Sequence, residues 1–489
     1  MSSEKVNYIV IFIFFTFLNI LYFLTGGKFY FEHINYFWQF LDVKYLKNDL
    51  LRGIFYLHIQ PPFFNLFTGL LLKNPFLPPS FLALFCFLVI GFFTVLLFYK
   101  ILILLEVGEN ISLIFSLIFL LNPSFLMYET FYFYTLPVIF LLILSLYLLI
   151  KFFESERIIF LDLFLFSFLV LSLIRSIFHV IFFTIFFLIF FNFESSKRKK
   201  IYKRIGITIF VLFLFYLKNF LLFNTFSTSS WFGMNFAKVF VLYSAKEERI
   251  KAMKENDGCI FYIIHPFSPP SSYPRKYLVL PDKYKCIPEL SEKNKTCGWA
   301  INFNYFPYIK LSKAYMEKYF RAVFLYPRWY LRGVLKSFDF FLTPAYFTYQ
   351  MKVKGGTIKL LINIFNKIYL KFPSSLGVWG GKERDRDNYY MKFIIFPFFL
   401  FFVFFTFPIF IFNLRIESVL WKKMILIFIF FTIVYVMYVG ILFECGENNR
   451  FRFITHAYYL IIWAVFIKNM NYVAKKCSEK IKIKRYSNK

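Results

Sequence analysis

The chain has 489 residues, of which 59% are hydrophobic, and its formal net charge is +30. A typical soluble domain has roughly 45–50% apolar residues, so this composition excludes an ordinary soluble protein over most of the length. The lysine and arginine residues stand mostly in short segments between apolar runs, where such residues set the topology of a membrane protein. We therefore exclude nucleic-acid binding and predict an all-α polytopic membrane protein.

Ten apolar stretches predict transmembrane helices, because about 20 helical residues cross roughly 30 Å of hydrocarbon. The stretches lie near residues 7–25, 80–99, 111–122, 134–151, 158–174, 178–192, 206–223, 392–413, 424–443 and 454–469. Basic residues are concentrated at 197–204, at 415–423 and in the tail from Lys468. Such segments stay on the cytoplasmic side, so we expect a multi-pass protein of the cell membrane with both termini in the cytoplasm.

The apolar stretch at 61–72 is interpreted as a short juxtamembrane or re-entrant helix in a first outer loop at 26–79. It is too short to span the bilayer. Pro61 and Pro62 open it, and proline suits a helix start because its missing N–H is not needed there. Counting it as a span would reverse every later loop and place the basic segment at 197–204 outside.

The predicted topology divides the chain into three parts. Residues 1–223 form an N-terminal transmembrane module that contains the acidic first loop. Residues 224–391 form a large outer loop, in which the periodicity of 308–340 and 356–372 predicts interfacial helices. Residues 392–489 form the C-terminal transmembrane helices and a basic cytoplasmic tail that is expected to contact membrane lipid.

Three carboxylates of the first loop, Glu32, Asp42 and Asp49, are candidates for a general base. A carboxylate just outside the bilayer can remove a proton from an acceptor hydroxyl while a lipid-linked donor lies in the membrane beside it. The alternative is that all three are solvated loop charges and that His58 caps the helix that follows it. The cysteines show no metal-ligand spacing, no cofactor is predicted, and assistance by a divalent metal is left open.

Several polar residues stand near the outer ends of the predicted helices. They are Glu129, Arg175, Lys218, Asn219, Arg450 and Arg452. A buried arginine at a membrane boundary is costly unless it is paired or faces water, and guanidinium binds phosphate oxygens in bidentate fashion. The cations therefore predict a rim that stabilises the charge of a phosphate or pyrophosphate leaving group. The alternatives are snorkelling for Arg175 and an aromatic interface belt around Glu129.

Short motifs along most of the chain resemble one superfamily. The segment YLHIQPPFFN at 56–65 resembles the HPPL-type motif of the GT-C membrane glycosyltransferases, which include protein O-mannosyltransferases and the aminoarabinose transferases that modify lipid A. Four further segments, at 122–129, 174–179, 218–233 and 446–453, are similar to an uncharacterised bacterial branch of that superfamily. The resemblance implies a long first outer loop with an acidic base, juxtamembrane helices and a polyprenyl-phosphate sugar donor.

The resemblance also implies roles for individual residues. Glu32 stands roughly where the better-known members have their acidic base, although they usually have aspartate there. Asp49 lies in a stretch similar to the bacterial branch, so the base is Asp49 or Glu32, with Asp42 as a third choice. His58 and Gln60 are expected to line the donor or acceptor pocket.

These patterns predict glycosyl transfer from a polyprenyl-phosphate donor to a hydroxyl of a lipid, glycan or protein acceptor on the outer side, with inversion. One alternative is a flippase or transporter of lipid-linked glycans, which predicts paired repeats and ionisable residues near mid-helix. The sequence shows neither. A polymerase-type or ligase-type protein is a second alternative, and it would place essential arginine and histidine in late loops.

Overall fold

The computed structural model of the protein describes residues 3–189, 198–242, 244–256, 258–347, 355–367 and 397–487. Within these ranges the regular structure is helical, and the β-type contacts are two isolated bridges, Tyr30–Phe131 and Asn294–Ile301. This confirms the predicted all-α class.

The first part of the chain alternates long apolar helices with short ones. Its helices are α1 (Ser3–Leu24), α2 (Val43–Asn48), α3 (Leu50–Phe55), α4 (Pro62–Leu72), α5 (Pro79–Leu104), α6 (Glu109–Leu120), α7 (Pro123–Glu129), α8 (Thr135–Ser155), α9 (Ile158–Ile174), α10 (Val180–Ile189) and α11 (Arg198–Phe223). Helix α4 begins at a proline and has 11 residues, so the short helix predicted at 61–72 is present.

The remaining helices are shorter up to residue 365 and long again near the C-terminus. They are α12 (Phe232–Val241), α13 (Lys246–Glu255), α14 (Asp282–Lys285), α15 (Pro288–Ser291), α16 (Pro307–Leu325), α17 (Pro327–Leu342), α18 (Gly356–Phe365), α19 (Pro397–Ile416), α20 (Leu420–Phe443), α21 (Asn448–Ile454) and α22 (His456–Ser487). Single 3-10 turns occur at Glu32–Asn35, Ile260–Tyr262, Pro270–Ser272, Arg275–Tyr277 and Ala345–Phe347.

Five of the described helices are long and apolar enough to cross a membrane, namely α1, α5, α8, α11 and α20. The number rises to seven if two bent helix pairs, α6–α7 and α21–α22, each form one span. The protein is therefore a membrane protein with five to seven candidate spans. Helices α9, α10 and α19 cover parts of the other predicted spans, and ten membrane crossings stay a prediction; residues 190–192 and 392–396 lie outside the described ranges.

Helix α8 is the centre of the apolar core. In its most apolar window 72% of the residues are buried inside the protein, against 22% for α11 and 33% for α1 and α5. It packs against α5, α9, α20 and α21. The more exposed helices keep large apolar side chains on their outer faces, as expected of surfaces that contact lipid.

The two bent helix pairs meet at their bends. The α6–α7 pair turns by 63° and the α21–α22 pair by 50°. Asn122 caps α7 by accepting the Ser124 N–H at 3.0 Å, and its side-chain amide donates to His456 Nε2 at 3.2 Å. Pro123 cannot donate a backbone hydrogen bond back into α6, which explains the first bend. The short helix α21, which carries Arg450, is thereby held beside α8.

A second apolar core joins the first loop to the large loop. It contains side chains of α2, α12, α16 and α17. Polar contacts reinforce it: the Lys295 ammonium donates to the backbone carbonyls of Phe37 at 2.6 Å and Phe40 at 2.8 Å. The Lys44 ammonium lies 2.6 Å from the Glu292 carboxylate. The first loop and the described residues between 231 and 340 of the predicted large loop therefore share one core.

Helices α12 and α17 approach so closely that one glycine is required between them. A Cβ atom at Gly333 would lie 1.8 Å from the carbonyl oxygen of Val239, whereas one at Gly206 on α11 would meet no atom within 4 Å. We expect Gly333→Ala to destabilise the protein by about 1–3 kcal/mol because the helices must move apart. Thermal unfolding of the detergent-solubilised protein, followed by circular dichroism, measures the effect.

Gly206→Ala is the matched control, since it adds the same methyl group to an exposed helical position. It should leave the melting temperature unchanged or raise it, by up to about 1 kcal/mol in stability. Equal melting temperatures for the two variants would contradict the close contact between α12 and α17.

Candidate functional site

A cavity of about 610 Å³ lies where the first loop, the α9–α10 turn, α12, α16 and the α20–α21 junction meet. Gln60 lines it, together with six charged residues: Arg175, Lys238, Lys313, Glu444, Glu447 and Arg450. Apolar side chains of α20 and of the loop after α11 complete the wall. The volume falls in the range of roughly 300–1,000 Å³ that is usual for small-molecule sites.

Arg175 lies between two aromatic rings on the cavity wall. It ends α9, and its guanidinium carbon is 4.9 Å from the ring centre of Tyr134 and 4.8 Å from that of Phe451. One guanidinium nitrogen donates to the Tyr134 hydroxyl. In the described part of the chain, no carboxylate lies within ion-pair distance of this side chain. The stacked rings fix the orientation of the guanidinium and leave its charge without a direct counter-ion.

Arg450 approaches the same phenol oxygen from α21. Its guanidinium donates to the Tyr134 hydroxyl at 3.2 Å and to the Glu447 carboxylate. Two guanidinium groups thus converge on one neutral oxygen. Like charges at this separation repel each other, and burial strengthens the repulsion, so the arrangement favours an anion between or beside them.

Lys238 forms the third cationic group. Its ammonium contacts the Glu444 carboxylate and lies 5.4 Å from the ring centre of Phe267. Burial raises the pKa of Glu444, and Glu447 adds to this, while Lys238 and Arg175 oppose it. Burial also acts to raise the pKa of Glu447, but the charges of Arg450, Lys238 and Arg175 outweigh it and hold that pKa below its usual value.

The charges of this group do not cancel. With Lys313, which also lines it, the cavity has four cations and two carboxylates, and 4 − 2 gives a net charge of +2 when both acids are ionised. Protonation of Glu444 would raise it to +3. Since the protein supplies more positive than negative charge in a half-enclosed space, the cavity is suited to an anionic ligand.

The three first-loop carboxylates do not line this cavity. Asp42 is buried and caps α2 by accepting the Lys44 N–H at 3.0 Å; it also accepts the backbone N–H of Thr296 at 2.6 Å. Glu32 and Asp49 are exposed. The structure therefore does not bring the candidate bases together with Arg175, and their catalytic role stays a prediction.

His58 lies behind the cavity wall and holds a residue that lines it. It is 1% exposed. Its Nε2 is 3.0 Å from the Asn304 carbonyl oxygen and its Nδ1 is 2.8 Å from the Ser230 hydroxyl. Because a carbonyl only accepts, Nε2 carries the proton and Nδ1 accepts from Ser230. Burial lowers the pKa of His58 to about 3, so the ring is neutral. Gln60 lines the cavity itself.

Three other predicted site residues hold neighbouring segments in place. Lys218 donates to the carbonyls of Phe55 and Leu57 at 3.0 and 3.1 Å, and Asn219 donates to Ser227 at 2.6 Å. Arg452 donates to the carbonyl of Phe341 at 2.9 Å. None of the three lines the cavity.

Glu129 is also away from the cavity, buried among the apolar helices. One carboxylate oxygen accepts from the Asn19 amide at 3.1 Å. The carboxylate occupies the space over Gly91, where a Cβ atom would lie 2.1 Å from its other oxygen. It thus joins α1, α5 and α7. An aromatic interface belt does not describe this position.

Sequence reasoning missed Tyr134, Lys238, Glu444 and Glu447. Glu447 lies in the segment at 446–453 and Glu444 two residues before it, where the sequence predicts only Arg450 and Arg452 as site residues. Acidic residues three and six positions before a buried arginine are a signal that could have been used. Within the described ranges, no three His, Cys, Asp or Glu side chains cluster as metal ligands. The structure therefore offers no candidate ligands there for the divalent metal that the sequence analysis leaves open.

The two aspartates of the first loop should differ in their effect on stability. We expect Asp42→Ala to cost about 2–3 kcal/mol, because it removes a helix cap and charge-assisted bonds to Thr296. Asp49→Ala, at an exposed position a few residues away, should change stability by less than about 0.5 kcal/mol. Denaturation of the two purified variants measures this, and an equally stable Asp42→Ala protein would refute the anchoring role.

Comparisons with known proteins leave the chain without an assigned family. No protein-family model, no curated protein and no solved structure matches it. The likeness to GT-C glycosyltransferases therefore rests on the short sequence motifs, and a function is inferred from the chemistry of the cavity.

Proposed function

We propose that the protein is a GT-C-type membrane glycosyltransferase that moves a sugar from a polyprenyl-phosphate donor to an acceptor hydroxyl. The observation that carries this proposal is the convergence of Arg175 and Arg450 on the Tyr134 hydroxyl. Guanidinium groups bind phosphate oxygens through parallel N–H donors. A phosphate placed beside Tyr134 would compensate both charges at once.

The apolar part of the cavity suits the isoprenoid chain of such a donor. Ile177, Val439 and Phe443 line it close to the charged group. Val439 and Phe443 belong to the last turns of α20, a candidate membrane span. A lipid tail could therefore leave the cavity along the helix while its phosphate stays at the arginines.

The position of the cavity at one end of α11 and α20 supports its location on the outer side of the membrane. It is lined by residues that follow the end of α11 and by the last turns of α20. Basic residues lie at the opposite ends of the same helices, at Arg198–Lys200 and at Lys422 and Lys423. Since basic flanks favour the cytoplasmic side, the proposal places the cavity on the outer side and both termini in the cytoplasm.

In the proposed reaction, the acceptor hydroxyl oxygen attacks the anomeric carbon. The bond between that carbon and the phosphate oxygen breaks, and its electron pair stays on the phosphate. Arg175 and Arg450 hold the charge that develops there, which is the largest contribution a site can make to such a transfer. A single displacement inverts the anomeric configuration. The acceptor is a lipid, a glycan or a protein.

A second candidate function is transport of a lipid-linked anion across the membrane. The observation that favours it is the pair of bent helices that meet at Asn122 and His456. Broken helices that meet near a binding site are typical of secondary transporters. Reconstituted vesicles separate the two functions: a flippase moves a fluorescent polyprenyl phosphate between leaflets without breaking it, whereas a transferase releases the polyprenyl phosphate from a sugar-loaded donor.

Binding of farnesyl phosphate tests the anion site without knowledge of the sugar. Trp38 and Trp231 line the cavity, so a titration can be followed by tryptophan fluorescence. We expect Arg175→Ala to weaken binding roughly 10- to 100-fold, because a hydrogen-bonded charged group contributes about 1.5–3 kcal/mol. Arg175→Lys should lose less, since it keeps the charge but not the planar fork.

Arg157→Ala is the matched control. Arg157 precedes the opposite end of the same helix α9 and is exposed, so its removal should leave affinity unchanged. Farnesol, which lacks the phosphate, should bind wild type and Arg175→Ala equally. Failure of wild type to prefer farnesyl phosphate over farnesol would refute the proposed function.

A further inference from the structure

Glu444 has one carboxylate oxygen held by the protein and one that faces the cavity. The first, Oε1, contacts the Lys238 ammonium and accepts the backbone N–H of Cys445 at 3.2 Å. In the described ranges the second, Oε2, has no hydrogen-bond donor, and the side chain lines the cavity. A carboxylate that is oriented through one oxygen and presents the other to a ligand has the geometry of a general base.

The charge of the cavity changes in step with the reaction. A polyprenyl-phosphate sugar is a phosphodiester with one negative charge, and the six charged side chains that line the cavity carry a net charge of +2 when both acids are ionised. Loss of the sugar leaves a phosphate monoester, which carries close to two negative charges above pH 7. The net charge of the occupied cavity stays the same through the reaction if one of its carboxylates gains the proton that the acceptor hydroxyl loses.

We propose that Glu444 accepts this proton, so that it and not a first-loop carboxylate is the general base of the reaction. The inference rests on the proposed function and adds to it the fate of the proton. The acceptor O–H bond breaks, its proton passes to Oε2 of Glu444, and the oxygen forms the bond to the anomeric carbon. The electron pair of the cleaved bond stays on the phosphate at Arg175 and Arg450.

Glu444 is better placed for this role than Glu447. The Arg450 guanidinium binds the Glu447 carboxylate directly, and the surrounding cations hold the pKa of Glu447 below its usual value despite burial. It therefore stays ionised. Burial raises the pKa of Glu444 even with Lys238 and Arg175 nearby. The charged groups that face Glu444 are Lys238 from α12, Arg175 from the α9–α10 turn, and Glu447.

The first-loop carboxylates lack access to the same space. Asp42 is committed to Thr296 and to the start of α2. Glu32 and Asp49 are exposed and do not line the cavity. A base must reach the acceptor hydroxyl within hydrogen-bond distance, and the acceptor must lie beside the phosphate-bound sugar at Arg175.

Proton uptake on binding of the product analogue tests the inference without knowledge of sugar or acceptor. Farnesyl phosphate is titrated into the full chain in lipid nanodiscs at pH 7.5, by calorimetry in two buffers of different ionisation enthalpy. A dianion beside Glu444 raises its pKa further, so wild type should take up roughly one proton for each ligand bound. The affinity should accordingly rise as pH falls from 8 to 7.

Three comparisons identify the group that takes the proton. Glu444→Gln should bind farnesyl phosphate at least as tightly as wild type with no proton uptake, because it resembles the protonated state. Asp49→Asn and Glu32→Gln should keep the uptake of wild type. Methyl farnesyl phosphate, a diester with a single charge, should bind wild type without uptake.

Lys238→Met provides a second variant if Glu444→Gln does not fold. Loss of the Lys238 charge raises the pKa of the buried Glu444 further, so proton uptake should be smaller than in wild type. Undiminished uptake in both variants, or loss of uptake in Asp49→Asn or Glu32→Gln, would overturn the inference while leaving the anion site intact. Absence of phosphate-dependent binding in wild type would instead overturn the proposed function.

Discussion

The Tyr134 hydroxyl is the point on which the arrangement of the site depends. It stands at the start of α8, the most buried of the five candidate spans, and accepts hydrogen bonds from Arg175 at the end of α9 and from Arg450 on α21. If the helices were apart, water could accept the hydrogen bonds of each guanidinium group. Packing removes part of that solvent, and the Tyr134 oxygen and the Glu447 carboxylate take its place as hydrogen-bond acceptors.

The polar residues of the first loop serve mainly to attach it to the large loop. Asp42 binds Thr296, Lys295 binds two first-loop carbonyls, and His58 binds Ser230 and Asn304. These contacts place Trp38, Gln39 and Gln60 on the cavity wall. Asp42 and His58 are therefore anchors of the first loop, and the charged groups of the cavity come from the end of α9, from α12, from α16 and from the segment between α20 and α21 with the start of α21.

Much of the secondary structure was predictable. Uninterrupted apolar runs leave no alternative to a helix in a bilayer, because every backbone N–H and C=O must be satisfied within the segment. The short helix after Pro61 was predictable from its length and its prolines. The bends were harder to predict. A proline at 123 marks the first one, but whether two helix halves form one span depends on what packs around the bend, here Asn122 and His456.

The sequence by itself determined that the protein is helical, that it lies in a membrane, and that cations gather at helix ends. Only the tertiary structure decided which of those cations face a common space. The partners of Tyr134 stand 41 and 316 positions away, and those of the Lys238–Glu444 pair 206 apart. The local pattern of apolar and polar residues indicates whether a segment prefers lipid or water. It does not indicate which segments meet, because that depends on the packing of the whole helix bundle.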